Sequence, residues 1–473
     1  MNRVWYGTMF NLNNTYNKIT TSSNTSGSIF GTVTVAVVGG FLFLWQKKKK
    51  KNIAVRSKTA SIDLLGFESK LYNLDTPPVS TLTWFKGDFS AVKPKLEKRL
   101  MLVVEKNPWL KGRITIANCF KRTYTLSYTS ERSDSSSVNI DENLEFVPPE
   151  DSPLSRDTSF GDLGVAIRDA GLTIKNGTDQ PLFKVHIIPC SKSPSERFAL
   201  LLQMTHVAGD GATYYKLLHM ICSIGEDCIQ RLEPVRIMRT DEMQEAAMGK
   251  ESRGLLVSTG LLLRVVRGAI AEKLRGRKTY PRFRFLDPAK MQVLKDASMD
   301  ERGVASDVQF VSTNDVITSW FMSRTGCGTG FMAINWRNRL EGHTDLHAGN
   351  YMDNIFYQKD DYTSPALIRK SMMEYKRAVT KDVPVPGVWK MVTSTRCVAL
   401  VTNWVSLSKS NEIEGCEEEI HLPLYFNPSF VSQIHALTIF RAGAGRVGLC
   451  YLGNTPDGTN PLDDAPFIIK DAA

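Results

Sequence analysis

The residues best placed to do chemistry lie in RFALLLQMTHVAGDGATYYKLLHMI, residues 197–221. His206 ends an apolar run, and Asp210-Gly211 follows at the fourth and fifth positions after it. A neutral imidazole takes up a proton near neutral pH, so His206 is a candidate general base. Asp210 could touch the ring, or turn away and tie the loop to a cation elsewhere; the spacing allows both. Two other uses fit the same residues. His206 could cap a strand end structurally, or pair with Asp210 as metal ligands of a hydrolase, for which no third ligand is apparent.

The elements around the motif would place the histidine where it can face a cleft. RFALLLQMT and PLFKVHIIP are apolar runs of strand length, dense enough to be central strands. GATYYKLLHMI has helical apolar spacing. Strand, turn and helix in that order would hold His206 at a strand end. Gly209 and Gly211 would let the chain turn sharply and leave room beside the ring. Upstream, LTWFKGDF reads as a strand, and AVKPKLEKRLMLVVEK as a helix broken at Asn107-Pro108. Downstream, STNDVITSW reads as a helix, and GFMAINWR, RCVALVTNWVSL and GRVGLCYL as strands. Strands and helices mix in both halves, which gives an α/β chain.

Composition bounds the rest. The chain has 473 residues, 42% hydrophobic and 23% charged, enough to bury a sizeable core. Net charge is +10, but Lys47–Lys51 alone supply five of those charges. No aromatic ladder, zinc spacing or helix-turn-helix pattern accompanies the basic residues, so no nucleic-acid partner is expected. The eight cysteines are scattered without a Cys-x-x-Cys, and no metal site is expected from them or from the seven histidines.

The N-terminus predicts a membrane anchor. Residues 1–28 form a polar tail, 29–45 an uncharged apolar run at the short end of what spans a bilayer, and 46–80 a basic flank and linker. The lysines after Trp45 place the large C-terminal part in the cytosol, most simply at the endoplasmic reticulum, with a plastid or other organelle as the alternative. A signal peptide carries a shorter leader, and a transit peptide carries no such apolar run. Residues 241–285 are apolar, then basic. They read as an inter-domain helix with a solvated basic face at Arg264, Arg267 and Arg275, or as an amphipathic helix on anionic lipid.

With these residues in view, THVAGDG resembles the His-x-x-x-Asp-Gly motif of the CoA-dependent acyltransferase superfamily. That group includes chloramphenicol acetyltransferase, the BAHD-type plant acyltransferases, the wax ester synthases and the condensation domains. LEKRLMLVVEKNPWLKGRI, STNDVITSW, AINWRNRL with AGNYMDN, and LVTNWVSL are similar to further segments of the family, in the family's order across roughly residues 80–455. The chain departs from it in having Thr205 before His206 in place of a second histidine. It also carries EIEGCEEEIHLPLYF where BAHD-type enzymes carry DFGWG. It therefore resembles a divergent branch.

The resemblance implies two similar mixed-sheet α/β domains, chloramphenicol acetyltransferase-like, with a channel between them. The first half would span 81–240 and the second 286–473, joined by 241–285. It implies acyl-CoA as co-substrate, no bound cofactor, and transfer to a hydroxyl or, as the variant, an amine. His206 would act as base without an acyl-enzyme. Asp210 would pair with Arg337 of the second half; Thr402 would donate to the oxyanion; Gly211 and Trp404 would lie at the substrate. The expected anchor suggests a lipophilic alcohol acceptor. A binding or scaffold protein that keeps the fold without the chemistry is the alternative.

Overall fold

The computed structural model describes residues 59–129, 139–250, 252–255, 258–274, 279–301, 303–394, 396–426, 434–453 and 459–469. The polar tail, the expected span at 29–45 and the lysine run lie outside the described residues. Among the described residues, no helix is long and apolar enough to cross a membrane.

The first half comprises β1 (Thr59–Asp63), α1 (Gly66–Asn73), β2 (Val79–Lys86), α2 (Phe89–Lys106), β3 (Arg113–Asn118), β4 (Thr123–Thr129), β5 (Leu144–Phe146), α3 (Phe160–Asp169), β6 (Phe183–Pro189), β7 (Arg197–Met204) and α4 (Gly211–Ile221). A connecting stretch holds α5 (Thr240–Met248) and α6 (Thr259–Leu274). The second half holds β8 (Arg282–Phe285), α7 (Pro288–Asp300), α8 (Thr313–Thr325), β9 (Thr329–Asn335), β10 (Met352–Tyr357), α9 (Pro365–Glu374), α10 (Val388–Thr393), β11 (Val398–Asn403), β12 (Glu417–Pro423), β13 (Ile434–Arg441) and β14 (Val447–Leu452).

The first half is built on the five-stranded order β12-β2-β7-β6-β5. β2 and β7 pair antiparallel with Thr83 opposite Leu200, and β6 lies on the other side of β7. Phe198 to Leu202 are wholly buried because the strand is covered on both faces, which is why it reads as a continuous apolar run. α2 packs on α4 through the stripe Val92, Leu96, Leu100 and Val103, residues that recur on one helical face. Asp88 caps its start by accepting from the Ser90 amide at 2.8 Å. At its end Asn107 donates to Gln230 O at 2.9 Å and accepts from the Leu232 amide at 2.8 Å, which fastens the helix to a distant loop.

The second half is a mixed sheet in the order β10-β9-β11-β13-β14-β8, with β9, β11 and β13 parallel at its centre. α8 starts at a reciprocal cap, Ser312 with Asp315, and its apolar side packs on Met332, Leu437 and Tyr451 of the sheet.

Four sequence expectations are corrected. Residues 59–80 are not simply linker: β1 joins the small sheet β1-β4-β3, and α1 buries Glu68 and Leu71. Residues 144–146 form edge strand β5. β8, placed in the connection, belongs to the second sheet, whereas β12, placed in the second half, crosses over to become the edge of the first. His421 on β12 explains why that strand stays there. Its ring bonds Thr83 Oγ1 at 2.8 Å and Tyr215 of α4 at 3.0 Å, and burial pushes its pKa down to about 3, so it stays neutral. Finally, Arg264 is buried, not solvated. α6 lies along α10, so its Leu261–Arg264 face turns inward toward the cluster of Phe331, Phe356 and Val398. Arg267 stays exposed and donates to Ser394 O at 3.0 Å; Arg275 lies outside the described residues.

Candidate active site

β7 ends at Met204, and a turn held by the Ala208 amide donating to Thr205 O at 3.0 Å carries His206. The strand end is pinned on both sides: the Thr205 amide donates to Leu182 O at 2.8 Å, and Thr205 Oγ1 to Asn176 Oδ1 at 2.6 Å. His206 is half-buried, whereas Val207, Ala208 and Asp210 are buried. Its Nδ1 lies 3.0 Å from Asn350 Oδ1 of the second half, and the Asn350 amide nitrogen donates back to His206 O at 2.8 Å.

Asp210 turns away from the ring. It is the N-cap of α4, with Oδ1 accepting from the Thr213 amide at 3.1 Å. Its Oδ2 accepts from Arg337 Nη1 at 2.8 Å and from the Tyr351 amide at 2.9 Å. Both carboxylate oxygens are thus engaged away from the imidazole, and the metal-pair arrangement with His206 is not formed. Arg337 also donates to His347 O, Gly349 O and Thr213 Oγ1 at 2.9, 2.9 and 3.0 Å. Burial alone would raise the Asp210 carboxyl. The Arg337 guanidinium and the two amides overcome it and hold the carboxyl below its ordinary range. The pair joins the two halves directly behind the histidine.

Two glycines act here by leaving space. A Cβ on Gly209 would lie 2.6 Å from Thr213 Cβ, so glycine lets the capping threonine close over the turn. A Cβ on Gly211 would meet Leu407 Cδ1 at 3.3 Å and Trp404 Nε1 at 3.6 Å. The gap over Gly211 therefore sets Trp404 against the motif helix, and its ring meets Tyr215 edge-on at 5.9 Å between centroids. Thr402 sits two residues before Trp404 on β11, opposite Thr438 of β13, and is partly exposed. Its neighbours Val401 and Asn403 point the other way. Val401 enters the core under α8, and Asn403 donates to Asn314 of that helix at 3.2 Å.

The structure thus brings His206, Asp210, Gly211, Arg337 and Trp404 into one cluster, with Thr402 on the adjoining strand. Sequence reasoning missed Asn350, Glu68, Arg236, Thr213 and Tyr351. Asn350 stands in the AGNYMDN segment already singled out. The spacing of Leu64, Leu65, Leu71 and Leu74 around Glu68 was a helix signal. For Arg236 there was no local signal.

No family model matches the chain, and no curated protein matches it in sequence. Solved structures do match. TRI101 of F. sporotrichioides, solved with coenzyme A and T-2, is 12% identical with a TM-score of 0.51 and covers 87% of this chain and 99% of its own. TRI101 of F. graminearum, solved with coenzyme A and T-2 mycotoxin, is 13% identical with a TM-score of 0.54, covering 83% and 94%. The first condensation domain of the calcium-dependent antibiotic synthetase, in complex with a substrate analogue, is 12% identical with a TM-score of 0.53, covering 86% and 93%. The chain therefore shares its fold with TRI101 and with the condensation domain.

Proposed function

We propose that this protein moves an acyl group from acyl-CoA to a hydroxyl acceptor with His206 as general base. One observation carries the reading. The motif aspartate is spent on Arg337, while among the described residues the half-buried imidazole is held through Nδ1 alone, by Asn350. That leaves His206 as the motif's proton acceptor, at the seam of the two halves. Structures of the same fold solved with coenzyme A and T-2 or deoxynivalenol support the substrate class.

The steps balance without a covalent enzyme intermediate. His206 takes the proton of the acceptor hydroxyl as its oxygen attacks the thioester carbonyl. The carbonyl becomes a tetrahedral oxyanion, toward which Thr402 donates from β11. Collapse re-forms the carbonyl, breaks the C–S bond and expels the CoA thiolate, which takes the proton back from the imidazolium. Trp404, against Gly211, lines the acceptor side. None of the eight cysteines is needed as a nucleophile. An apolar anchor at 29–45 would confine the enzyme to a membrane surface and suit a lipophilic alcohol.

The test is CoA release by the full chain in detergent, with acetyl-CoA or palmitoyl-CoA against pooled fatty alcohols, sterols, glycerides and phenols. Acceptor-dependent thiol release that disappears in His206→Ala is the expected result. Donor binding without release, in wild type and variant alike, would move the protein to the scaffold reading.

A further inference from the structure

Behind His206 lies a buried chain of groups that the reaction itself does not touch. Glu68 of α1 is fully buried, and both its carboxylate oxygens face Arg236 Nε, at 3.1 and 3.0 Å. Arg236 is equally buried, and its other nitrogens donate to Pro234 O, Ala348 O and Ala208 O at 2.7, 2.9 and 3.0 Å. Glu68 Oε2 also accepts from the Leu65 amide at 3.0 Å. Its Oε1 accepts twice from Asn350, from the backbone amide at 2.9 Å and from Nδ2 at 3.2 Å. Gly349 makes room for this: its φ is +136°, and a Cβ there would lie 2.9 Å from Arg236 Nε.

These contacts decide how the Asn350 amide faces. Its Nδ2 is surrounded by groups that only accept: Glu68 Oε1, His206 O and, at 3.5 Å, Val207 O. A flipped amide would set its oxygen against all three. Oδ1 is therefore the atom that meets the imidazole. A carbonyl oxygen can only accept, so His206 Nδ1 must carry the proton. The lone pair is then on Nε2.

We infer that Glu68 and Arg236 are positioning residues that lock the Asn350 amide, and through it the His206 tautomer, so that Nε2 is the atom that accepts the proton. The inference rests on the acyl-transfer reading only for the use made of Nε2; the tautomer itself can be read without any substrate. Arg236 orients the carboxylate, Glu68 the amide, and Asn350 the ring. The chain spans α1, the stretch before α5 and the loop before β10, so it assembles only in the folded molecule.

The experiment uses the full chain in detergent with its seven histidines labelled with nitrogen-15. Long-range proton–nitrogen correlations report which ring nitrogen is protonated, and the His206 signals are those lost in His206→Ala. Wild type is expected in the Nδ1–H form. Glu68→Gln presents a donor as well as an acceptor to Asn350, so one lock on the amide is lost. The Nε2–H form should rise roughly tenfold, the factor carried by one hydrogen bond to a charged group. Asn350→Leu keeps the branched skeleton and holds neither form, so both tautomers should be populated. Where Glu68→Gln does not fold by near-UV circular dichroism, Glu68→Asp takes its place, keeping the charge and drawing it back from Asn350. Wild type in the Nε2–H form, or folded variants with an undiminished Nδ1–H form, overturns the inference. If CoA release holds, Glu68→Gln should lower kcat in proportion to the lost tautomer with KM for acyl-CoA unchanged. A protein without CoA release but with the expected tautomers would sink the acyl-transfer reading alone.

Discussion

Replacing Arg337 by Met tests whether the pair behind the motif holds the two halves together. The Asp210 and Arg337 side chains are 3% and 0% exposed. Met fills much of the arginine's volume but leaves Asp210 with only the Thr213 and Tyr351 contacts, and strips donors from His347 O and Gly349 O. Removing one partner of such a buried pair costs roughly 3–5 kcal/mol. Unfolding entropy of about 2.1 cal/mol/K per residue over the roughly 400 described residues gives roughly 0.8 kcal/mol/K, so Tm should fall by about 4–6 °C. The pH dependence has a definite sign. Asp210 is held below its ordinary range, so its contribution is fully present above the unfolded value of about 3.9 and is lost as pH falls through the lower folded value. The gap between wild type and Arg337→Met should therefore be widest near pH 8 and narrow as pH falls, first where the unpaired, burial-raised Asp210 of the variant takes up its proton and then through the lower folded value of wild type. Scanning calorimetry across that range reads both. The double variant Asp210→Asn/Arg337→Met should lose less than the sum of its singles, because it buries no unpaired charge. A Tm within about 1 °C of wild type at pH 7, or strict additivity, would refute the reasoning, since that is how an exposed ion pair behaves.

Three further outcomes follow from the geometry. His206→Ala should keep the fold, by circular dichroism, and lower acceptor-dependent CoA release by roughly 10²–10⁴-fold, the range of a positioned general base. Asp353→Asn should stabilise the protein at pH 7. Burial pushes the Asp353 carboxyl up to about 6, so the ionised form that prevails at neutral pH is disfavoured, by about 2–3 kcal/mol, and Asn spares it. That advantage should vanish below about pH 4, where Asp353 is protonated folded and unfolded alike; a pH-independent difference would contradict it. Gly349→Ala should cost about 1–3 kcal/mol by chemical denaturation, because it strains a positive φ and drives a Cβ into Arg236.

What the sequence made legible was local. Strand, turn and helix around His206 follow from an apolar run, Asp-Gly and helical spacing within twenty-five residues. The position of Arg337 came from a resemblance, since nothing in NWRNRL by itself says which carboxylate it meets. Glu68 and Arg236 were invisible for a plain reason: they are 168 positions apart, and Asn350 is 282 from Glu68. Residues 59–80 passed for linker because β1 and α1 are short and precede Pro77-Pro78, and their apolar residues find partners only on β4 and the first core. The crossing of β12 was unreadable because a strand's periodicity does not say which sheet receives it; the buried Thr83–His421–Tyr215 bonds help hold it there. Arg264 misled because an arginine among apolar residues reads as a wet edge until α10 is seen lying against it.

The most direct test of the central claim follows the acyl group itself. Palmitoyl-CoA labelled in the acyl carbonyl is incubated with the full chain and the alcohol pool, and the label is traced by mass spectrometry in small molecules and on protein. Label is expected in a new ester, formed one for one with free CoA, with none retained on the protein and none transferred by His206→Ala. Label bound covalently to the protein, or ester formed equally by the His206→Ala variant, would contradict it.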